Sequence, residues 1–225
     1  MRSRPVVAID GPSGVGKSTV AKGLAKALGF AFVDTGALYR TVAWLADAQG
    51  VDWNDGASLG SLVDDHDFTF NSEGELYVDG VSVGDRIRTP RMSRGASTVA
   101  RHSHVRKALL TLQRNIGRDG GVVLEGRDIG TVVFPDAEMK FFLTASARVR
   151  AERRFLELTE RGEQVSLDEV ERELERRDEA DSTRTHSPLK KAQDAQEMFS
   201  DSISAQEVIK RMLKRVQANF PLTSN

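Results

Sequence analysis

A glycine-rich segment near the start of the chain carries the clearest chemical pattern in the sequence. Residues 11–18 match the pattern G-x-x-x-x-G-K-S/T. Glycines at this spacing let backbone N–H groups converge on phosphate oxygens, and the N-terminus of a following helix adds partial positive charge. Lys17 is therefore predicted to reach the β- and γ-phosphates of ATP, and Ser18 to bind Mg²⁺. The predicted nucleotide-binding residues are Gly11, Pro12, Ser13, Gly14, Val15, Gly16, Lys17, Ser18 and Thr19.

Three classes of protein use such a loop: small-molecule kinases, GTPase switches, and motor or transporter ATPases. A GTPase is expected to carry an N-K-x-D motif, which the sequence lacks. Its one D-x-x-G match, at residues 47–50, lies at the end of a predicted helix and is interpreted as accidental. The L-S-G-G-Q-type signature of transporter ATPases is also missing from the sequence. The motifs therefore favour a small-molecule kinase.

Arginines that could hold a second anion occur in three separate parts of the sequence. A phosphate-monoester acceptor is mostly dianionic at neutral pH, because its second pKa is about 6, so its oxygen can attack without a general base. The protein must instead hold two anions together with Arg and Lys side chains. Arg40 and Arg127 each follow a predicted strand, and Arg177 and Arg184 lie in a charged segment. Because open α/β sheets bind ligands at the carboxyl ends of their strands, Arg40 and Arg127 are predicted to face the site.

The hydrophobic pattern indicates the elements that position these residues. Apolar runs at residues 6–9 and 30–33 predict buried strands, and apolar residues at helical spacing through residues 20–28 predict a helix between them. Further buried-strand runs occur at residues 122–124 and 140–143. This alternation of strands and helices predicts a parallel sheet with helices on both faces.

The middle and the end of the chain have different patterns. Three short strand-like runs separated by turn signals predict a small antiparallel meander inserted into the α/β core. One helix is predicted from about residue 94 to residue 116, and two amphipathic, charge-rich helices are predicted within residues 146–184. The meander runs are residues 68–70, 76–78 and 81–83, and a last helix is predicted around residues 208–213.

Composition excludes several other functions. The formal net charge of −1 gives no overall attraction to nucleic acid or to an anionic membrane, and no apolar run approaches the roughly 20 residues of a membrane span. The sequence has no cysteine, which excludes disulfides and thiolate chemistry. Its four histidines show no ligand set for a metal, and Trp44 and Trp53 are interpreted as packing residues. We therefore expect a cytoplasmic, monomeric enzyme with small-molecule substrates.

Several longer stretches make the pattern specific. From about Val6 to Leu213 the chain resembles bacterial cytidylate kinases, a branch of the nucleoside monophosphate kinase family. The GRDIGTVVFP stretch is the part that separates this family from adenylate and thymidylate kinases. The resembling stretches are residues 9–14, 34–40, 87–89 and 126–135, together with Arg177, Asp178 and Arg184.

The resemblance implies the reaction MgATP + CMP (or dCMP) ⇌ ADP + CDP (or dCDP), with Mg²⁺ as the cofactor. It implies that Lys17, Arg40 and Arg127 carry catalysis, and that Thr35, Arg40 and Arg127 hold the acceptor phosphate. Arg153 and Arg154 are weaker candidates for the ATP side.

It also implies that Ser97 and Arg106 contact the cytosine together with Asp128. Buried polar partners of this kind discriminate between bases, because the wrong base leaves them unpaired. The residues implied to close over the nucleotide and touch its sugar and phosphate are Arg177, Asp181 and Arg184, which share one face if their segment is helical.

The expected fold is a three-layer P-loop NTPase fold with a parallel sheet, an inserted NMP-binding region that contains a small antiparallel sheet, and a helical lid. The expected insert covers about residues 62–98 and the lid about residues 151–187. The core takes the remaining segments, about residues 1–61, 99–150 and 188–225.

One departure from the family pattern concerns the last strand. Residues 196–200, which follow Asp194 and Ala195, carry two polar residues where the family has aliphatic ones, so this edge strand is expected to be short or exposed. Two alternatives to a (d)CMP kinase stay open: a related P-loop kinase for UMP or another small acceptor, and a non-enzymatic nucleotide-dependent binding protein. Near-zero net charge and the lack of an aromatic stacking surface argue against an RNA-associated version of the second.

Overall fold

Eight strands form two separate sheets in the protein, which a computed structural model describes over residues 2–220. The strands are β1 (Val6–Asp10), β2 (Ala31–Asp34), β3 (Phe68–Phe70), β4 (Leu76–Val78), β5 (Val81–Ser82), β6 (Val122–Gly126), β7 (Met139–Thr144) and β8 (Gln196–Phe199). Five of them make a parallel sheet in the order β2-β6-β1-β7-β8. The carboxyl ends of β1, β2 and β6 therefore meet at one edge of this sheet, which confirms the predicted fold class.

The predicted meander is the second sheet. Strands β3, β4 and β5 pair antiparallel, with Phe68 opposite Val78 and Tyr77 opposite Ser82. The tight turn between β4 and β5 uses Asp79 and Gly80, both with positive φ. The inward residues Phe68, Leu76 and Val78 pack against helices of the neighbouring core and not against the parallel sheet.

Helices cover both faces of the parallel sheet, as predicted. Val7 and Ile9 of β1 point to one face and Val6 and Ala8 to the other, because successive strand residues alternate. The first face packs against α1 and α8, and the second against residues of α5 and a π-helical turn at Ile129–Val133. The helices are α1 (Lys17–Leu28), α2 (Thr35–Gln49), α3 (Gly56–Asp64), α4 (Pro90–Val99), α5 (Ser103–Gly117), α6 (Ala147–Glu160), α7 (Leu167–Thr183) and α8 (Ala205–Asn219), with a short 3₁₀ turn at Gly84–Ile87.

The single helix predicted for residues 94–116 is wrong, because the chain breaks there into α4 and α5. Thr89 caps the start of α4 by accepting a hydrogen bond from Met92 N at 3.2 Å, and the helix ends at Val99. His102 is extended, and its Nε2 lies 2.9 Å from Trp53 O. This long-range contact interrupts the helix, and the apolar periodicity on either side gives no sign of it.

Helix α3 was not predicted. Asp55 caps it by accepting from Ser58 N at 3.1 Å, and Leu59, Leu62 and Val63 face the core. Gly60 is needed because a β-carbon there would lie 2.9 Å from His104 Cβ. A nine-residue helix with glycines lacks the long periodicity on which a helix prediction depends.

The expectation of a short, exposed last strand is confirmed. Strand β8 has four residues at the edge of the sheet; Met198 is buried and Phe199 is 64% exposed. Its polar residues have partners, since Gln196 accepts from Arg215 and Glu197 from Lys191, both at 2.8 Å. The last five residues of the expected core, 221–225, lie outside the described part of the chain. Within residues 2–220, none of the helices combines the length and apolar character that crossing a bilayer requires.

Candidate active site

The glycine loop folds as a cradle between β1 and α1. Gly14 and Gly16 have φ of +74° and +89°, and Gly16 leads directly into the N-terminus of α1. Gly11 has no room for a side chain, because a β-carbon there would lie 2.0 Å from the backbone oxygen of Leu143. Lys17 turns back over the loop and donates to Pro12 O at 2.5 Å. The loop thus presents a buried lysine and the N-terminus of a helix to one cavity, as phosphate binding requires.

Asp10, at the end of β1, ties the phosphate loop to the segment that carries Arg127. Its two carboxylate oxygens accept from Ile129 N and Gly130 N, each at 2.8 Å. Burial raises the pKa of Asp10 to about 6, against the effect of these two hydrogen bonds. Asp10 had no predicted role, although an acidic residue at the end of a buried strand is a recognisable signal.

Residues at the start of α2 form the next wall. Arg40 Nη2 lies 2.7 Å from Asp34 Oδ2, and Asp34 also caps α2 by accepting from Ala37 N at 3.0 Å. Burial opposes ionisation of Asp34, but the Arg40 guanidinium holds its pKa below the ordinary value. The hydroxyl of Thr35 donates to Glu125 O at 2.7 Å, so this side chain also connects α2 to the end of β6.

A chain of ion pairs joins β6, α5 and α7. Asp128 pairs with Arg106 through Nη2, and its other oxygen lies 3.7 Å from Arg184 Nη2. Asp181 in turn lies 3.6 Å from Arg184 Nη1 and 2.9 Å from Arg127 Nε. All five side chains are at most 18% exposed. Residues that the sequence places more than 50 positions apart are therefore in contact. The predicted face shared by Arg177, Asp181 and Arg184 is helical as far as Thr183.

Positive charge accumulates around the phosphate loop. Burial and the nearby Arg127 lower the pKa of Lys17 to about 7. The same two causes lower the pKa of Arg177 to about 10, and the buried Nε of Arg177 has no hydrogen-bond partner among the described residues. Three cations held this close repel one another, so an anionic ligand with several oxygens would relieve the repulsion.

One cleft of about 730 Å³ receives nearly all of the predicted site residues. Gly11 and Pro12 lie outside its lining, because they form the base of the loop. Arg88, Arg94 and Arg161 also line the cleft, although the sequence analysis gave them no role. The predicted residues in its lining are Ser13, Gly14, Val15, Gly16, Lys17, Ser18, Thr19, Thr35, Arg40, Ser97, Arg106, Arg127, Asp128, Arg177, Asp181 and Arg184.

The two weaker ATP-side candidates line the same cleft but are already engaged. Arg153 donates to Ser200 Oγ at 3.1 Å and to the Ser200 carbonyl, which fixes it against the loop after β8. Arg154 pairs with Glu157 within α6 at 2.7 Å.

Ser18 and Glu125 are suited to a magnesium ion that is held mainly by a nucleotide. Glu125 is buried, its Oε1 has no hydrogen-bond partner among the described residues, and burial followed by the nearby Asp34 raises its pKa to about 7. Within residues 2–220 no group of three His, Cys, Asp or Glu side chains could hold a metal by itself. Mg²⁺ commonly keeps several waters and takes only one or two protein ligands beside substrate phosphates. These residues therefore fit the expected cofactor, and Glu125 is a candidate ligand that the sequence analysis missed.

Comparison with known proteins gives one consistent result. The sequence profile of the family described as "Cytidylate kinase" matches residues 7–218. A cytidylate kinase from Geobacter sulfurreducens is 50% identical over 210 residues, which cover 92% of this chain and 90% of the relative. A bifunctional pantoate ligase/cytidylate kinase from Prochlorococcus marinus (strain NATL2A) is 43% identical over 98% of this chain, which spans only 44% of that relative. Among solved structures, a gluconokinase from Sinorhizobium meliloti 1021 aligns over the whole chain with a TM-score of 0.49 and 15% identity, a likeness too weak to support an inference.

Proposed function

The chain belongs to the cytidylate kinase family, and from that premise we propose that it transfers the γ-phosphoryl group of MgATP to CMP or dCMP. The products are ADP and CDP or dCDP. One observation carries the proposal: Lys17, Arg40, Arg127 and Arg177 come from four separate segments and line a single cleft at the carboxyl edge of the parallel sheet.

The donor occupies the phosphate-loop side of the cleft. Backbone N–H groups of residues 14–18 and the charged Lys17 bind the β- and γ-phosphates. Ser18 and, directly or through water, Glu125 would hold Mg²⁺, which would neutralise charge on the donor phosphates.

The acceptor phosphate lies opposite, against Arg40, Arg127 and Arg177. One of its oxygens forms a bond to the γ-phosphorus while the bond from that phosphorus to the bridging oxygen breaks, so ADP leaves. No proton needs to move, because the attacking oxygen is already ionised near neutral pH. The protein supplies alignment and positive charge, which are the main contributions to phosphoryl transfer.

Recognition of the base involves Asp128, Arg106 and Ser97. The Asp128 carboxylate can accept a hydrogen bond from the 4-amino group of cytosine, while Arg106 donates to its ring acceptors. Uracil presents an acceptor where cytosine presents the amino group, so it would face Asp128 with the wrong polarity. We assign Asp181 and Arg184 to the sugar side of the same ligand.

We also propose separate roles for three parts of the chain. A core binds ATP, an insert at about residues 62–98 contributes to the acceptor site, and a lid at about residues 151–187 closes over both nucleotides and excludes water. We also propose that the enzyme is cytoplasmic and monomeric. A kinase for UMP or another small acceptor is the alternative within the same architecture.

Product analysis tests the proposal directly. Purified protein is incubated with MgATP and CMP, and phosphorus NMR follows the appearance of ADP and CDP. Equal amounts of the two products are expected, with no inorganic phosphate beyond the background found without CMP. ADP and phosphate without CDP would show an ATPase, and no turnover with CMP, dCMP or UMP would overturn the proposal.

A further inference from the structure

Asp178 connects the α6–α7 hairpin to the phosphate loop, and none of the roles described above includes this residue. Its Oδ1 accepts from the backbone N–H of Ser13 at 3.0 Å. Its Oδ2 pairs with Nη1 of Arg150, a residue of α6 that is 7% exposed. Arg150 also donates to Ser13 O at 3.0 Å and to Ala145 O at 3.1 Å. Both polar backbone groups of Ser13 are thus held by side chains of the hairpin.

The loop residue after Ser13 also lies close to the hairpin. A β-carbon at Gly14 would lie 3.3 Å from the backbone oxygen of Arg150 and 3.4 Å from Leu174 Cδ1. Leu174 belongs to the small apolar core that joins α6 to α7. The loop and the hairpin therefore meet through hydrogen bonds at Ser13, with little free space beside Gly14.

Because Asp178 lies in α7, its contact with the phosphate loop also affects the position of its neighbour in that helix. Its neighbour Arg177 lines the cleft, where its charge adds to the effects of burial and of Arg127 in lowering the pKa of Lys17. Since α7 is continuous from Leu167 to Thr183, fixing Asp178 against Ser13 also fixes the distance between Arg177 and the loop. The loop conformation and the placement of a hairpin arginine are then determined by one contact.

From these contacts we propose that Asp178, with Arg150, is a positioning residue that holds the α6–α7 hairpin against the phosphate loop when the lid is closed, in the arrangement that binds ATP. The proposal rests on the function proposed above only for its kinetic consequences. Its effect on ATP binding follows from geometry and holds whatever the acceptor is.

Loss of positioning and loss of a negative charge should change the affinity for ATP in opposite directions. Removing a carboxylate beside a cationic site would, by charge alone, strengthen the binding of an anion. Loss of positioning would instead weaken the binding of ATP, because the loop N–H groups and Arg177 no longer converge. A weaker affinity for ATP in Asp178→Ala therefore identifies positioning.

Calorimetric titration of the full-length protein with MgATP, without an acceptor, is the test. Asp178→Ala is expected to raise the Kd for ATP about tenfold or more, the effect of losing a hydrogen bond to a charged group. Asp178→Asn retains an acceptor for Ser13 N–H and is expected to recover part of the loss. Glu175→Gln, an exposed acidic residue on the same helix, is the matched control and is expected to leave the Kd unchanged.

Steady-state kinetics adds a second readout. In Asp178→Ala the KM for ATP is expected to rise about tenfold, and the KM for CMP is expected to rise as well, because Arg177 also faces the acceptor phosphate. A lower melting temperature with unchanged ATP affinity would overturn the proposal and leave Asp178 a purely structural residue. ATP binding by a wild-type protein that does not turn over CMP would contradict the proposed function and still allow the Asp178 comparison to be made.

Discussion

Arg127 Nε lies 2.9 Å from Asp181 Oδ2, and this contact joins the segment after β6 to helix α7. Asp181 also lies 3.6 Å from Arg184, so its carboxylate faces two arginines of the proposed acceptor site. A carboxylate thus neutralises part of the positive charge to which we assign the acceptor phosphate. The contact links the proposed acceptor site to the hairpin that we propose as the lid.

Replacing Arg127 with alanine is predicted to lower kcat/KM for CMP about tenfold or more, because a charge-assisted contact to phosphate contributes about 1.5–3 kcal/mol. The fold is expected to persist, since Asp181 keeps Arg184 and Arg177 nearby. A coupled assay of ADP formation measures the effect, and circular dichroism checks the fold. Arg118→Ala, which removes an exposed arginine, is the control. Full activity of Arg127→Ala would show that the acceptor assignment is wrong.

Burial gives the binding of ATP a predicted dependence on pH. The pKa of Lys17 is lowered to about 7 in the free protein, and phosphate binding favours the charged lysine, so the pKa rises on binding. Below about pH 7 the lysine is already charged and its contribution to the Kd should be constant; above it, binding takes up a proton and the Kd should rise about tenfold per pH unit. Glu125, whose pKa is raised to about 7, acts in the opposite direction, because its carboxyl must lose a proton before it binds Mg²⁺, which raises the Kd for MgATP below about pH 7.

Titration calorimetry between about pH 6 and pH 9, in two buffers of different ionisation enthalpy, measures this proton uptake. Lys17→Arg is the matched variant, because its guanidinium stays charged, and it should flatten the lysine part of the profile. Glu125→Gln removes the other contribution. A Kd for ATP that stays constant or falls above about pH 7 in the wild-type protein would contradict the prediction.

Asp128→Asn is predicted to lower the preference for CMP over UMP about tenfold or more. The amide can offer its oxygen to the cytosine amino group or its NH₂ to the uracil oxygen, so the polarity that excludes uracil is lost. Competition between the two nucleotides in one reaction measures the ratio of kcat/KM values. Asp119→Asn, an exposed control, should keep the wild-type ratio. An unchanged ratio in Asp128→Asn would remove Asp128 from base recognition.

Gly11→Ala is predicted to lower the free energy of unfolding by about 3 kcal/mol or more and to abolish activity. The new β-carbon would lie 2.0 Å from the backbone oxygen of Leu143, which β7 holds in place. Gly50→Ala is the matched control, because Gly50 has φ of +70° but open space around it, so only the cost of the left-handed conformation, about 1–2 kcal/mol, is expected. Urea denaturation compares the two variants, and equal losses would show that the close approach at Gly11 does not matter.

Elements with long, regular patterns could be predicted from the sequence. Three neighbouring patterns predict the same fold: the apolar run at β1, the glycine loop and the helical spacing in α1. Each local preference agrees with the parallel sheet. The turn signals around Asp79 and Gly80 likewise predict the antiparallel sheet. Failures occurred where a distant contact decides the local structure, as at His102, whose ring bonds to Trp53 O and separates α4 from α5.

Site residues that belong to a motif could be predicted from the sequence, whereas residues whose role depends on burial were harder to predict. Lys17, Arg127 and Arg184 follow from motifs or resemblance, and the structure brings them to one cleft. Asp10 and Glu125 carry roles that depend on burial at the ends of neighbouring strands, and their pKa values are raised for that reason. Burial of a single carboxylate depends on the strand order β2-β6-β1, which the sequence pattern does not determine.

The central claim is that one cleft aligns ATP with a cytidine monophosphate. A coupled assay of ADP formation across CMP, dCMP, UMP, AMP, GMP and dTMP, at equal concentrations and with MgATP in excess, tests it most directly. The highest kcat/KM is expected with CMP or dCMP, a weaker signal with UMP, and rates near background with the purine nucleotides and dTMP. Equal turnover with all six acceptors, or ADP formation that does not depend on any of them, would contradict it.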